Sequence, residues 1–267
     1  MRRLRRIYAM SHLPFSYEVT RNIQPFVLGV DDATGDNIVD KPAFSETRGH
    51  YWLWKNLRFR DDEFVAVCQY RRCFFFPQIP ELQPEYAELT RHSAKQLGDF
   101  VYTLNRADYV RYAQIVDEAD LSPVNEWLGE FDLLVNRPGA YPNRMTIAQM
   151  YGQHHRATDW EIFASVCRRH GLDDGNHSWI TGHLMFVMRP DLFDEYMTLW
   201  WAVMQEVDSM VEHETDPYQH RKIGYLTERF LSAWLIKMRI ERPKLRIMTA
   251  LICEGLFQHD RTAPNVM

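Results

Sequence analysis

The sequence predicts an α/β protein with a helical C-terminal part, on three observations. Short apolar runs at 7–10, 24–30, 63–68, 131–135 and 184–188 alternate with segments of helical spacing. Two long amphipathic segments, near 191–212 and 217–238, follow the last of these runs. Of the 267 residues, 46% are hydrophobic. That is enough to bury the core of one large α/β domain or two tightly joined lobes.

Taken in order, Ile7 to Met10 reads as a first strand that ends at Ser11-His12 and opens into a loop at Pro14. A second apolar run at 24–30 leads into Asp31-Asp32-Ala33-Thr34-Gly35-Asp36-Asn37, a polar loop dense in turn formers. Ser45-Glu46-Thr47 opens a helix through Tyr51, Trp52, Trp54 and Lys55, with Ser45 as its N-cap. Trp52 and Trp54 are assigned to packing, because a Trp-x-Trp pair cannot put both rings on one helical face.

Glu63 to Cys68 is a continuous apolar run, as expected of a central strand covered on both faces. Charge appears at its far end, in Gln69-Tyr70-Arg71-Arg72. Ligands of open α/β sheets bind beyond the carboxyl ends of such strands, so this placement is the best physical hint of a site. Residues 77–98 read as an irregular excursion rich in Pro, Glu and Gln. The strand at 131–135 ends in the turn Asn136-Arg137-Pro138-Gly139, residues 145–170 read as helical, and Arg189-Pro190 stops the strand at 184–188. Residues 1–241 are taken as the domain and 242–267 as a tail.

A net charge of −5 argues against a general nucleic-acid binder, which needs a basic field. Arg2, Arg3, Arg5 and Arg6 form one basic run. It is either a solvated chain start or a peripheral contact with the anionic inner face of the membrane, at roughly 1 kcal/mol per basic residue. The four cysteines show neither CxxC nor zinc spacing, and Cys68 reads as a small buried hydrophobe. No signal peptide and no apolar stretch of membrane-spanning length is evident, so a cytoplasmic, reducing location is expected. Aromatic content is 13%, with 8 Trp and 13 Tyr. Such rings fill cores, and they also stack on sugars and bases.

Several stretches together resemble a known family. They are Asp32-Ala33-Thr34-Gly35-Asp36-Asn37-Ile38, Glu46-Thr47, Tyr51-Trp52-Leu53-Trp54-Lys55-Asn56 and Val67-Cys68-Gln69-Tyr70-Arg71-Arg72. His155 with Asp159, Gly182-His183-Leu184-Met185-Phe186, and Gly224-Tyr225-Leu226-Thr227-Glu228-Arg229 follow in order. The family is that of capsular and exopolysaccharide biosynthesis proteins, long catalogued as a domain of unknown function and treated as glycosyltransferases. The resemblance covers roughly residues 5–240. It implies a GT-A-like fold, a mixed and mostly parallel sheet flanked by helices. Gln69 departs from the family's usual His, and Cys73 from its usual aromatic residue.

What the resemblance implies is transfer of a hexosyl group, galactosyl or galactofuranosyl among the candidates, from a nucleoside diphosphate sugar to a growing surface polysaccharide. UDP-sugars are the favoured donors, a glycan or lipid-linked glycan the acceptor, and inversion the favoured outcome. The strand end offers Tyr70-Arg71-Arg72 and no Asp-x-Asp, so Arg71, Arg72 or both are expected to bind the diphosphate without a required metal, one of them facing the donor because successive strand side chains alternate in direction. The alternative for both is a structural salt bridge. Tyr70, Gln69, Asp32 and Asn37 complete the candidate donor site.

Asp36 and Glu228 are the candidate bases, since an inverting transferase needs a carboxylate near the acceptor hydroxyl. The alternatives are a capped surface turn for the Asp36 loop and an ion pair with Arg229 for Glu228. The Asp spacing of that loop also leaves a divalent cation open. His155 and Asp159, four apart, share a face if the segment is helical, and could orient a catalytic imidazole or bind the acceptor together with His183. A zinc site lacks a third ligand at sensible spacing. The rival reading is a non-catalytic nucleotide-sugar or glycan-binding protein of a polysaccharide assembly complex. A nucleotidyltransferase is disfavoured because Ser11-His12-Leu13-Pro14 stands where a Gly-rich phosphate loop belongs.

Overall fold

The computed structural model describes residues 2–82, 101–140, 145–173 and 177–257. Its strands are β1 (Ile7–Ser11), β2 (Ile23–Val27), β3 (Val65–Gln69), β4 (Arg72–Phe74), β5 (Val101–Asn105), β6 (Leu133–Asn136), β7 (Gly139–Ala140), β8 (Trp179–Ile180), β9 (Phe186–Met188), β10 (Ile247–Ala250) and β11 (Ile252–Leu256). Its helices are α1 (Thr47–Asn56), α2 (Arg106–Glu118), α3 (Ser122–Leu128), α4 (Ile147–Gly152), α5 (Ala157–Arg169), α6 (Pro190–Met210), α7 (Pro217–His220) and α8 (Lys222–Glu241).

Among the described residues, all strands but β7 and β8 join one mixed sheet. The pairings β1–β2, β1–β3, β6–β10 and β5–β11 are parallel, whereas β9 and β4 pair antiparallel to their neighbours. Only β4 and β9 therefore oppose the common direction, and the sheet is mostly parallel, as the resemblance implies. One edge of β3 holds β1. The other holds β9 along Val65–Val67 and β4 at Gln69.

The register explains why β3 is apolar without interruption. Alternate side chains point to opposite faces, so Val65 and Val67 enter one core while Ala66 and Cys68 enter the other. The first core is roofed by α1, α5, α6 and α8, the second by α2 and α3. Helix α2 buries Tyr109, Tyr112, Ala113 and Val116, a helical stripe, and Asn105 caps it by accepting the Asp108 amide at 2.9 Å.

Four sequence expectations change. The segment expected as a tail after residue 242 returns to the sheet, with β10 beside β6 and β11 between β4 and β5. The helix expected over 145–170 breaks at 153–156, where His155 turns into an aromatic stack, so His155 and Asp159 share no helical face. The helix expected over 217–238 divides at Arg221 into α7 and α8. Ser45 is not the N-cap of α1; Glu46 holds that position, and the Ser45 hydroxyl is engaged elsewhere. Trp52 and Trp54 diverge as expected, bonding the Thr34 carbonyl and the Asp194 carboxylate. Most of the excursion placed at 77–98 lies outside the described residues.

Candidate active site

A cavity of about 430 Å³ opens beyond the carboxyl ends of β3 and β6 and the amino end of the antiparallel β9. Gln69, Arg71 and Arg72 reach it from the β3–β4 turn, Asn136 from the end of β6, and His183 and Leu184 from the approach to β9. Glu46 and Ser45 come from the start of α1, and Arg221, Tyr225, Glu228 and Arg229 from the start of α8. The spacing 221, 225, 228 presents one face of α8 to the cavity.

Four guanidinium groups thus meet two carboxylates. Arg72 is held on both sides: Nη2 lies 2.5 Å from Glu254 Oε1 on β11, and Nη1 donates to Gln69 Oε1 at 2.5 Å. Gln69 in turn donates from Nε2 to the His183 carbonyl at 3.0 Å. Arg229 Nη1 donates to the Tyr225 carbonyl at 2.7 Å and to Glu228 Oε2 at 3.0 Å. Arg221 Nε, Arg229 Nε and Asn136 Oδ1 are buried and have no hydrogen-bond partner among the described residues. Such atoms represent binding capacity that a polar ligand or water would fill.

The backbone around the cavity is strained. Ser45 (φ 52°), His183 (φ 70°) and Leu184 (φ 49°) are the positive-φ residues other than glycine among the described residues, and all three line it. Outliers of this kind cost on the order of 1–3 kcal/mol each and concentrate at functional sites. Gly224 permits the approach of α8 here, because a Cβ at this position would fall 2.8 Å from the Ser45 Cβ.

Electrostatics follow from this packing. Burial, together with the charges of Arg72 and Arg71, lowers the His183 pKa to about 3, so its imidazole is neutral at physiological pH. Burial alone would raise the Glu46 pKa. Its bond to His12, the His12 and Arg221 charges and the Ser45 hydroxyl outweigh that and hold it well below the ordinary range. His12 Nε2 lies 3.1 Å from Glu46 Oε1, and Arg221 Nη2 donates to Ser45 Oγ at 3.1 Å.

The structure gathers Gln69, Arg71, Arg72, His183 and Glu228 around this cavity and leaves the other expected residues outside its lining. Asp32 is fully buried, accepting the Gly29 amide and lying 3.6 Å from Arg48 Nε. Asp36 accepts from Tyr51 Oη at 3.0 Å, and Asn37 donates to the Gly35 carbonyl at 2.9 Å. The contacts to Arg48 and Tyr51 tie the 31–37 loop to α1. The Tyr70 carbonyl accepts from Tyr17 Oη at 2.5 Å, and the Tyr70 ring packs on Phe15 and Phe257.

Asp159 forms a buried ion pair with Lys222 Nζ at 3.0 Å, and His155 is buried beneath Tyr218. Neither reaches the cavity. Glu46, Tyr225 and Arg229 belong to the motifs that carry the resemblance but have no site role in the sequence reading, Asn136 is read there as part of a turn, and Arg221 has no sequence signal of its own. The α8 spacing is the signal that links Arg221, Tyr225 and Glu228. Among the described residues no group of three His, Cys, Asp or Glu side chains is placed to hold a metal ion. Likewise, no described helix is long and apolar enough to cross a membrane.

The sequence pattern of the domain of unknown function DUF4422 matches residues 14–239. No curated protein matches the chain. Among solved structures, the apo structure of the WbbM bifunctional glycosyltransferase shares its fold with a TM-score of 0.75 at 18% identity. The alignment covers 96% of this chain and 46% of that one, so the chain spans about half the length of that protein.

Proposed function

The chain belongs to the DUF4422 family, and we propose that it is a glycosyltransferase that uses a nucleoside diphosphate sugar, with UDP as the favoured nucleotide. The observation that carries this reading is the convergence of Arg71, Arg72, Arg221 and Arg229 with Glu228 on one cavity at a strand end. The shared fold with a glycosyltransferase supports it. Arginine forks match diphosphate oxygens in paired, charge-assisted bonds and stay charged at any physiological pH.

In this reading Arg71 and Arg72 grip the diphosphate from the β3 end, and Arg221 and Arg229 face it from α8. Guanidinium charge offsets the negative charge that grows on the leaving diphosphate, the task a metal performs elsewhere. Glu228 is the general base. Its carboxylate takes the proton of an acceptor hydroxyl, the hydroxyl oxygen bonds to the anomeric carbon, and the bond from that carbon to the diphosphate breaks with its electron pair on phosphate oxygen. Attack opposite to the leaving group inverts the anomeric centre. The transferred unit is a hexosyl group, galactose in pyranose or furanose form among the candidates, and the acceptor a growing surface polysaccharide.

The test is release of nucleotide from UDP-, GDP- and CMP-sugars with EDTA present. Slow donor hydrolysis from one nucleotide family, abolished by Glu228→Gln with nucleotide affinity retained, supports the reading. Absence of turnover with every donor, in a protein that still binds one of them, favours a nucleotide-sugar binding protein.

A further inference from the structure

Outside the cavity, a cluster of rings stands at its rim. Tyr225 lines the cavity, and its ring centroid lies 5.4 Å from that of Tyr218. Tyr218 is 41% exposed, a large aromatic surface left in solvent. Behind it lies His155, parallel to within 6° at 5.0 Å, and behind His155 lies the buried ring of Tyr151 at 4.7 Å.

The short helix that carries this ring is fixed by several bonds. The Asp216 carboxylate accepts the amides of Tyr218 at 3.0 Å and Gln219 at 2.9 Å, which caps α7. Gln219 donates from Nε2 to the His154 carbonyl at 2.8 Å, so its Oε1 is the atom 3.0 Å from His155 Nδ1. That arrangement makes Nδ1 the protonated nitrogen of His155. Burial, with the charge of Arg229, lowers the His155 pKa, so the ring serves as a flat backing that adds no charge beneath Tyr218. Lys222, itself buried, ties the segment to Asp159 at 3.0 Å and Glu214 at 3.2 Å.

We propose that Tyr218, edged by Tyr225 and backed by His155, is a stacking platform for a sugar ring of the acceptor glycan. Rigid tyrosines give large contact area for little ordering entropy, and their hydroxyls suit polar ligands. Position favours the acceptor over the donor. The diphosphate donor is enclosed among the arginines, whereas a polymeric acceptor has to leave the cavity into solvent, so its contacts continue past the rim. The platform continues from the wall that carries Arg221 and Glu228. His155 and Asp159 then act at one remove, as positioning residues for Tyr218 rather than as contacts to the glycan. The inference rests on the glycosyltransferase reading above for the identity of its ligand.

The experiment is saturation-transfer NMR of the full chain with methyl glycosides of galactose, glucose, mannose and rhamnose in the presence of UDP, alongside UDP titrations. Wild-type protein is expected to saturate the ring protons of at least one glycoside. Tyr218→Ala is expected to weaken that binding roughly five- to tenfold, Tyr218→Phe to retain it, and both to leave UDP affinity unchanged. Unaltered glycoside binding in Tyr218→Ala overturns the platform, as does a wild type that binds UDP and no glycoside. A loss of UDP affinity in Tyr218→Ala also overturns it, because the ring then stacks on the nucleobase. Glycoside binding that depends on Tyr218 in a protein that does not bind UDP upholds the platform and removes UDP as the donor nucleotide instead.

Discussion

Gln69 joins two walls of the cavity, its Nε2 donating to the His183 carbonyl at 3.0 Å while its Oε1 accepts from Arg72 Nη1 at 2.5 Å. Gln69 is thus a connector, holding the positive-φ turn at 183–184 against the arginine strand end. Gln69→Ala leaves a carbonyl and a guanidinium N–H without their partner. The expected cost is about 1–3 kcal/mol of stability, read in urea unfolding. Nucleotide affinity should fall with it, because Arg72 loses one of its two holders. Gln69→His tests whether an imidazole can replace the amide, and partial recovery of both quantities is expected.

A pH dependence follows from buried imidazoles. Burial lowers the His50 pKa to about 4 and, with the neighbouring arginines, the His183 pKa to about 3. In the unfolded chain both titrate near 6.5, at about the model-peptide value. Below that pH the unfolded state takes up protons that the folded state refuses, so stability falls as pH falls. The stabilisation is complete above about pH 6.5 and is lost progressively toward pH 4, before most carboxylates titrate. The urea midpoint should therefore be lower at pH 5 than at pH 7.5. His50→Leu should flatten that slope, since His50 is buried beside Phe186.

Lys222 carries a buried charge at the root of the α8 face. Its Nζ lies 3.0 Å from Asp159, 3.2 Å from Glu214 and 2.6 Å from the Glu212 carbonyl. Lys222→Met leaves the buried Asp159 carboxylate uncompensated, at a cost of about 3–5 kcal/mol. The double variant Lys222→Met, Asp159→Leu should recover part of that loss. Thermal unfolding of the two variants and the wild type measures the difference.

Much of the fold was legible because β1, β3, β6 and β9 are apolar runs that pass between two cores. Strands β10 and β11 were not: β10 is a half-buried edge strand, β11 is a short run interrupted by Glu254 and Gly255, and the partners of both come from far along the chain. The break between α4 and α5 was also hidden, because it is imposed by His155 reaching Gln219 and Tyr218 across the tertiary structure. In the site, Arg71 and Arg72 were found by where charge follows β3. Asp32 and Asp36 stand out in the sequence as carboxylates in a loop; that they contact Arg48 and Tyr51 on α1 and lie outside the cavity lining depends on tertiary packing. Arg221 was not legible, because no Gly or Pro marks the bend at which α7 ends and α8 begins.

The claim at the centre of this account is that the arginines at the β3 end hold a diphosphate. Its most direct test is calorimetric titration of UDP and of uridine, in EDTA, into wild-type protein and into Arg71→Ala and Arg72→Ala. The account predicts that UDP binds without added metal and that uridine binds far more weakly. It also predicts that at least one substitution weakens UDP by about 10- to 100-fold, the loss of a charged hydrogen bond. Equal affinity for UDP and uridine, or UDP binding that is unchanged in both variants, would contradict it.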